Sequence, residues 1–185
     1  MATELIKLLR PHVRFNVSGP IRPDWREAAP AHVDVVGAMA DGYLGIEIPV
    51  ILQETFFKGE PRPILVAGID FGGALIAAAL AGFSDGDFPA RYVRKESWPT
   101  VTDGVMRTIH QWSVIGDVAG QRIVAVDDVA TTGGALMCAI SALREAGAIV
   151  EDAIVVVDRE DGADALLAGA GVRLRSLVTL KELAG

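Results

Sequence analysis

Short apolar runs alternate with helix-like segments over the last two thirds of the chain, and this alternation limits the fold more than any other feature. Strands that alternate with helices form a parallel sheet with helices on both faces. The sequence therefore predicts an α/β fold with a mostly parallel sheet flanked by helices. The predicted strands are 63–69, 90–95, 122–126, 148–157 and 172–178, and the predicted helices between them are 73–82, 133–146 and 163–168.

The first third of the chain is less regular. A mostly helical stretch is predicted over 40–57, which Pro49 should kink or split. Two long irregular stretches, 18–33 and 96–120, are typical of functional or mobile segments. The second could instead contain an added hairpin, because Val114–Val118 has some strand character.

Composition narrows the class of protein. The 185 residues suit one domain, and a net charge of −7 argues against sequence-independent nucleic-acid binding. No apolar stretch reaches the ~18 residues of a membrane span, and the N-terminus lacks the pattern of a secretory signal. The presence of a single cysteine, Cys138, excludes a disulfide framework. Because it lies inside an apolar helix, Cys138 is expected to be buried in the protein core. A cytoplasmic protein without nucleic-acid or membrane partners is therefore expected.

The segment that carries chemistry follows the strand at 122–126. Two adjacent carboxylates, Asp127 and Asp128, come directly after the strand, and Thr131-Thr132-Gly133-Gly134 leads into a helix. Ligands of open α/β sheets bind at the carboxyl ends of strands. Backbone N–H groups of such a loop, with the helix N-terminus, form an anion cradle. The carboxylates suit hydroxyl groups or a hard cation such as Mg²⁺, so a ribose 5-phosphate group fits the pairing.

The stretch Val124-Ala-Val-Asp-Asp-Val-Ala-Thr-Thr-Gly-Gly134 resembles the phosphoribosyl-pyrophosphate (PRPP) motif of the type I phosphoribosyltransferases. Other segments are similar to the orotate branch of that family: 93–96 to the start of its catalytic loop, 156–160 to its base-recognition segment, and 171–183 to its C-terminal strand and helix. Near the start, Val17-Ser-Gly19 and Pro23 resemble a worn form of its N-terminal base-binding segment. The resemblance implies one phosphoribosyltransferase domain over 1–185, with a small hood segment over about 1–35.

What the resemblance implies is a Mg²⁺-dependent transfer of the phosphoribosyl group from PRPP to orotate, in a homodimer. The metal would be held mainly through PRPP rather than by side chains. The implied catalytic residues are Arg94, Lys95, Asp127 and Asp128. The implied PRPP-binding residues are these four with Asp70, Phe71, Gly72, Gly73, Val129, Ala130, Thr131, Thr132, Gly133, Gly134 and Ala135.

Base recognition is assigned by the same resemblance to two residues. Thr131 would face the base, and Arg159 would bind its carboxylate, with Asp158 and Glu160 beside the arginine as possible partners. A bidentate arginine is the natural recogniser of an anionic base.

Several positions depart from the family pattern. Gly72, Trp98 and Thr100 stand where charged or catalytic residues are usual, and Val17 replaces a lysine. Substitutes for the missing loop residues could be Arg107 and His110, which lie further along the chain. Two alternatives therefore stay open: transfer to a different nucleobase, or a PRPP- or nucleotide-binding protein without catalytic activity.

Overall fold

A computed structural model describes residues 2–15 and 31–185. The helices are α1 (Ala2–Leu9), α2 (Val35–Ala40), α3 (Tyr43–Phe56), α4 (Asp70–Gly82), α5 (Gly134–Glu145), α6 (Ala163–Gly169) and α7 (Leu180–Ala184), with a 3-10 turn at Arg10–His12. The strands are β1 (Val13–Phe15), β2 (Ala31–Val33), β3 (Leu65–Ile69), β4 (Ala90–Thr102), β5 (Val105–Ile115), β6 (Arg122–Ala130), β7 (Ile149–Asp158) and β8 (Arg173–Thr179).

Six of these strands form the central sheet, in the order β5-β4-β3-β6-β7-β8. All neighbours are parallel except β4 and β5, which pair antiparallel. The prediction of an α/β fold with a mostly parallel sheet is confirmed. The strands β1 and β2 form a separate antiparallel pair.

Helices cover both faces of the sheet. On one face, buried side chains of α1 to α4 and α7 pack against the sheet, with Ile76, Leu80 and Leu183 among them. On the other face, α5 and α6 pack through residues such as Ile140 and Leu167. Because β3 is buried along its whole length, its apolar run carries no polar alternation.

The irregular stretch predicted over 96–120 is wrong, and the hairpin alternative is correct. Strands β4 and β5 pair continuously from Tyr92 and Ile115 to Thr102 and Val105. The turn between them is Asp103-Gly104, and both residues have positive φ, 54° and 74°. Positive φ at both central residues is the geometry of a type I′ turn, which Asp-Gly favours. The second strand is Val105–Ile115, so its position differs from the predicted 114–118.

The helical stretch predicted over 40–57 is divided at a different residue from the one expected. The break lies at Asp41 and Gly42, where Gly42 has a φ of 96° that an L side chain rarely adopts. Pro49 lies inside α3 without ending it. The left-handed glycine therefore separates α2 from α3.

Two further sequence expectations are corrected or lie out of reach. Cys138 is exposed, because α5 buries the face of Leu136, Ala139, Ile140 and Leu143 and turns the cysteine away from it. The predicted base-binding segment with Val17 and Pro23 lies outside the described residues. In the described part of the chain, no helix combines the length and apolar character needed to cross a membrane.

Candidate active site

Four segments singled out in the sequence end at the same edge of the sheet. The register pairs Ile69 at the end of β3 with Val93, and Gly68 with Val126. Strand β7 pairs Asp158 with Ala130 at the end of β6. The residues that follow these positions are Arg94 and Lys95 on β4, Asp70–Gly73 after β3, Asp127–Ala135 on and after β6, and Arg159 after β7. The topology therefore brings all four segments to one edge, in neighbouring strands.

The two carboxylates of β6 lie inside the strand rather than after it, because β6 continues to Ala130. Asp127 is buried, with 9% of its surface exposed, and accepts the backbone N–H of Asp128 at 3.0 Å. Asp128 in turn accepts the backbone N–H of Val129 at 2.8 Å. Both side chains are thus held by the backbone that follows them.

Burial raises the pKa of Asp127 well above its ordinary value, and the neighbouring charge of Asp128 raises it further. Burial also raises the pKa of Asp128, although the hydrogen bond from the N–H of Val129 opposes this rise. A buried carboxylate beside a half-buried one is unfavourable when both are ionised. A cation or a pair of hydroxyl donors at this position would relieve that cost.

We predict that Asp127→Asn stabilises the ligand-free protein more at pH 8 than at pH 4. The folded-state pKa of Asp127 lies above that of the unfolded chain, so stability falls as pH rises between the two values. Asparagine carries no charge at either pH and avoids this loss. In a chain of this size, each kcal/mol corresponds to about 2–4 °C in melting temperature. Calorimetric melting of both proteins without divalent cations measures the shift, and an equal gain at both pH values would contradict the assignment.

The N-terminus of α4 approaches Asp128 closely at Gly72. A Cβ atom at position 72 would lie 2.5 and 2.6 Å from the two carboxylate oxygens of Asp128. At Gly73, a Cβ would collide with the backbone carbonyl of Val126. Glycine at both positions lets the helix start directly against β6, with the backbone of residue 72 beside the carboxylate.

The loop between β6 and α5 is short, since it contains only Thr131, Thr132 and Gly133. Gly133 has a left-handed φ of 81° and precedes the first turn of α5. The N-cap residue is Gly133 itself, which has no side chain to accept a hydrogen bond from the first N–H groups of α5. The first N–H groups of α5 are therefore available to an anion, which the positive end of the helix dipole also favours.

The two basic residues of β4 lie on opposite faces of the strand. Side chains alternate along a strand, so Arg94 and Lys95 project from opposite faces. Arg94 forms an ion pair with Glu96 on its own face, and Glu96 also accepts from the hydroxyl of Ser113 at 3.4 Å. Lys95 is exposed and forms no ion pair with any residue that the structure describes.

Tyr92 lies between the basic pair and the segment after β3. Burial raises the pKa of its phenol, and the charge of Asp70 raises it further while Arg94 lowers it. The register supports the same neighbourhood, because Gly68 pairs with Tyr92 and Ile69 with Val93, so Asp70 and Arg94 follow at the next position of β3 and β4. The segment 70–73 and the predicted catalytic arginine are therefore close in space.

The two predicted substitutes in the hairpin cannot act together from one face. Arg107 pairs with Thr100, and His110 pairs with Ser97 on the opposite face. The Nδ1 atom of His110 lies 2.7 Å from the Ser97 hydroxyl. Because their separation of three residues is odd, a strand directs the two side chains apart, whereas a helix would have brought them together.

Arg159 is held beside the start of the loop between β6 and α5 by its backbone. Its N–H donates to the carbonyl of Ala130 at 2.9 Å, one residue before Thr131. Its side chain is only 8% exposed and forms an ion pair with Asp161, at 2.8 Å between Nη2 and Oδ2. The partner is therefore Asp161 rather than Asp158 or Glu160. Both predicted base-binding residues, Thr131 and Arg159, thus lie where β6 and β7 end.

The residues present fit the expectation for the metal. Among residues 2–15 and 31–185, no group of three or more His, Cys, Asp or Glu side chains could hold a metal ion alone. Mg²⁺ prefers six oxygen ligands and usually takes several of them from substrate phosphates and water. Asp127 and Asp128 could supply carboxylate oxygens next to such a substrate, so the donor atoms present fit Mg²⁺.

A separate cavity of about 460 Å³ lies at the opposite edge of the sheet. Each of its three arginines has an ion pair: Arg122 with Glu151, Arg173 with Asp152 at 2.7 Å, and Arg175 with the same Asp152 at 3.7 Å. The Nε atom of Arg175 is buried without an acceptor among the described residues. A pocket whose charges neutralise each other provides little attraction for a polyanionic ligand. The edge that carries the Asp127–Asp128 pair is therefore the better candidate.

Sequence reasoning missed two acidic residues near the site. The charge of Asp34, which caps α2 by accepting the N–H of Gly37 at 2.8 Å, raises the pKa of Asp128. Asp161 forms the ion pair with Arg159. The sequence could have identified Asp34 as the N-cap residue of a helix. Its proximity to β6 depends on the tertiary fold, which no local pattern predicts.

Comparison with known proteins identifies the relatives of this arrangement. A family model described as the phosphoribosyl transferase domain matches residues 44–171. An orotate phosphoribosyltransferase of Sulfolobus acidocaldarius is 32% identical over 172 residues, which cover 90% of this chain and 75% of that protein. The one from Methanopyrus kandleri is 53% identical over 72 residues, and this match spans only 39% of either chain. The crystal structure of orotate phosphoribosyltransferase from Aeropyrum pernix superposes with a TM-score of 0.68 and 30% identity, over 99% of this chain and 96% of that one.

Proposed function

This chain belongs to the phosphoribosyltransferase family, within the branch of the orotate phosphoribosyltransferases, and from that premise we propose that it transfers the phosphoribosyl group of PRPP to orotate. The products are orotidine 5′-phosphate and pyrophosphate. The observation that carries the proposal is the hydrogen bond of 2.9 Å from Arg159 to Ala130. It places the backbone of Arg159, whose side chain is buried, next to the loop that follows the carboxylate pair. We infer that one site offers groups for a base carboxylate, a sugar diol and a phosphate.

The reaction joins a ring nitrogen of the base to C1′ of the ribose. The C1′–O bond to pyrophosphate breaks, and the leaving group keeps the bonding electrons. Positive charge develops on the ribose ring, and negative charge develops on the leaving oxygen. Orotate is itself an anion, and its reacting nitrogen needs no strong general base.

Different residues of this chain bind different parts of the substrate. Asp127 and Asp128 orient the ribose hydroxyls, directly or through the metal and water. The segment from Ala130 to Ala135 binds the 5′-phosphate through backbone N–H groups and the threonine hydroxyls. Residues 70–73 and Arg94 receive the pyrophosphate in the same chain. Lys95 projects from the opposite face of β4, so it would neutralise the pyrophosphate across the dimer interface that the family resemblance implies. Arg159 binds the carboxylate of the base. When bound, Mg²⁺ neutralises part of the charge on the leaving group.

Arg94 must exchange partners in this reaction. In the ligand-free protein Glu96 satisfies its charge, whereas pyrophosphate requires it in the complex. The family resemblance also implies a homodimer. Exposed apolar side chains at the end of the hairpin, Val101, Val105 and Met106, supply contact surface for a partner chain.

The test is a pyrophosphate-release assay with PRPP, Mg²⁺ and a panel of bases. We expect release that depends on orotate and is lost when the metal is chelated. Turnover of a purine without turnover of orotate would replace the acceptor and keep the reaction. Binding of PRPP by calorimetry without release for any base would instead indicate a binding protein.

A further inference from the structure

Arg159 is buried and only partly paired. Its side chain is 8% exposed, and its Nε atom is buried without a hydrogen-bond acceptor among the described residues. An unpaired donor of a buried guanidinium is costly unless a ligand completes it. The arginine therefore has at least one donor free for a ligand in the ligand-free protein.

Among the described residues, the side chain of Arg159 forms an ion pair with Asp161 alone. The turn after β7 determines the positions of both residues. Glu160 has a left-handed φ of 61°, and its N–H donates to Asp158 Oδ1 at 2.8 Å. Left-handed geometry at a residue other than glycine persists only where the surroundings determine it. This turn returns the chain so that Asp161 Oδ2 lies 2.8 Å from Nη2 of Arg159.

We propose that Asp161 is a positioning residue that holds the guanidinium of Arg159 in the orientation needed to bind the carboxylate of the base. The inference rests on the proposed function and deepens it, because it assigns the selectivity for a carboxylated base to a pair of residues. Asp161 contacts one terminal nitrogen and leaves Nε unpaired, so the guanidinium still has donors for a second carboxylate. A planar guanidinium binds carboxylates through two parallel N–H groups, and this binding depends strongly on its orientation.

The charge of Asp161 also makes the buried position of Arg159 tolerable. A buried cation whose counterion is removed is strongly destabilised and tends to move toward water. Asp161 is itself 35% exposed, so it remains solvated while it neutralises the arginine. Loss of this carboxylate should therefore release the guanidinium from its position, without removing it from the site.

The opposite role is also testable. If Asp161 competed with the substrate for Arg159, its removal would strengthen binding of the base. The positioning role requires weaker binding instead, so the two roles differ in the direction of the change.

The experiment compares the affinities of the full chain for orotidine 5′-phosphate and uridine 5′-phosphate, which differ by the carboxylate alone. We expect Asp161→Asn to weaken orotidine 5′-phosphate about tenfold, as for one impaired charge-assisted contact, and to leave uridine 5′-phosphate unchanged. Asp161→Glu, which restores a carboxylate, should recover most of the loss. The matched control is Glu160→Gln. It removes the same charge at the preceding residue, whose side chain forms no hydrogen bond or ion pair with the described residues. This variant should behave like the unmodified protein.

A double-mutant cycle identifies the route of the effect. In an Arg159→Ala background, Asp161→Asn should cause no further loss, since its partner is absent. Equal weakening of both nucleotides by Asp161→Asn would indicate a general structural role and overturn the proposal. Stronger binding of orotidine 5′-phosphate would overturn it as well.

Failure of the proposed function gives a different result. If the unmodified protein does not discriminate between the two nucleotides and releases no pyrophosphate with orotate, the substrate assignment is wrong. If the unmodified protein discriminates and Asp161→Asn discriminates equally well, only the role of Asp161 is wrong.

Discussion

Replacing Asp128 with asparagine is expected to lower the turnover number at least about 100-fold, the loss typical when one preorganised charged group is removed from a site where charge develops. Asp128 is held by the N–H of Val129 at 2.8 Å, and its burial raises its pKa. Asparagine can keep that hydrogen bond but cannot offer a second anionic oxygen. The ribose hydroxyls and the metal would lose their anchor, while the fold would remain.

Steady-state pyrophosphate release measures this effect. The matched control is Asp85→Asn, which removes an exposed carboxylate that forms no hydrogen bond or ion pair with the described residues. We expect the control to retain full turnover, and the Asp128 variant to melt no lower than the unmodified protein. Full activity of Asp128→Asn would remove this residue from the catalytic site.

The second large effect is expected at Gly72. A methyl group here would lie within 2.6 Å of both carboxylate oxygens of Asp128, far inside contact distance. The carboxylate must then rotate away from its position, so Gly72→Ala should lower turnover about tenfold or more by displacing the same charged group. Asp128 itself is unchanged in this variant.

The control for Gly72 lies in the same helix. A Cβ atom at Gly82, at the end of α4, would meet no atom within 4 Å. Gly82→Ala should therefore keep full turnover and stabilise the helix slightly, because alanine has the higher helix propensity. Pyrophosphate release for both variants decides the matter: equal activities would show that the space at residue 72 is not needed for the position of Asp128.

The close approach of Gly72 to Asp128 explains why this position lacks a charged side chain. Gly72 replaces a residue that is usually charged in this family, and from the sequence this suggests a missing catalytic group. In the structure, the backbone at residue 72 lies against Asp128, and a Cβ atom there would overlap its carboxylate. A side chain at this position is therefore incompatible with the present arrangement of β6 and α4.

The sheet and the carboxylate pair could be predicted because both depend on local patterns. Continuous apolar runs indicate strands buried on two faces: all of β3 is buried, and so is the run 153–157 of β7. The adjacent acids, the threonines and the glycines occur within nine residues of chain, from 127 to 135. Parallel topology then brings this segment to the edge where Arg94 and Arg159 also lie.

The hairpin was harder to predict because most of it buries no face against a core. Exposed residues occur on both of its faces, with Trp98 and Val101 as neighbouring examples. Without a buried face, the two-residue alternation that identifies strands is absent. The Asp103-Gly104 turn was the local signal that could have identified it.

The pairing of Arg159 with Asp161 depends on a backbone conformation that the sequence does not announce. In an extended chain, the side chains of residues 159 and 161 would lie on the same face, separated along the strand by the rise of two residues. The left-handed Glu160 closes that distance to 2.8 Å. Glutamate rarely adopts this conformation, so the nearer neighbours Asp158 and Glu160 were the natural expectation.

The central claim is that residues 127–135 bind a phosphorylated pentose. A crystal structure of the full chain with PRPP and Mg²⁺ tests it most directly. We predict density for the 5-phosphate against the backbone of Thr131 to Ala135, with the ribose hydroxyls at Asp127 and Asp128. Sugar phosphate bound elsewhere on the chain, with this loop empty, would contradict the account.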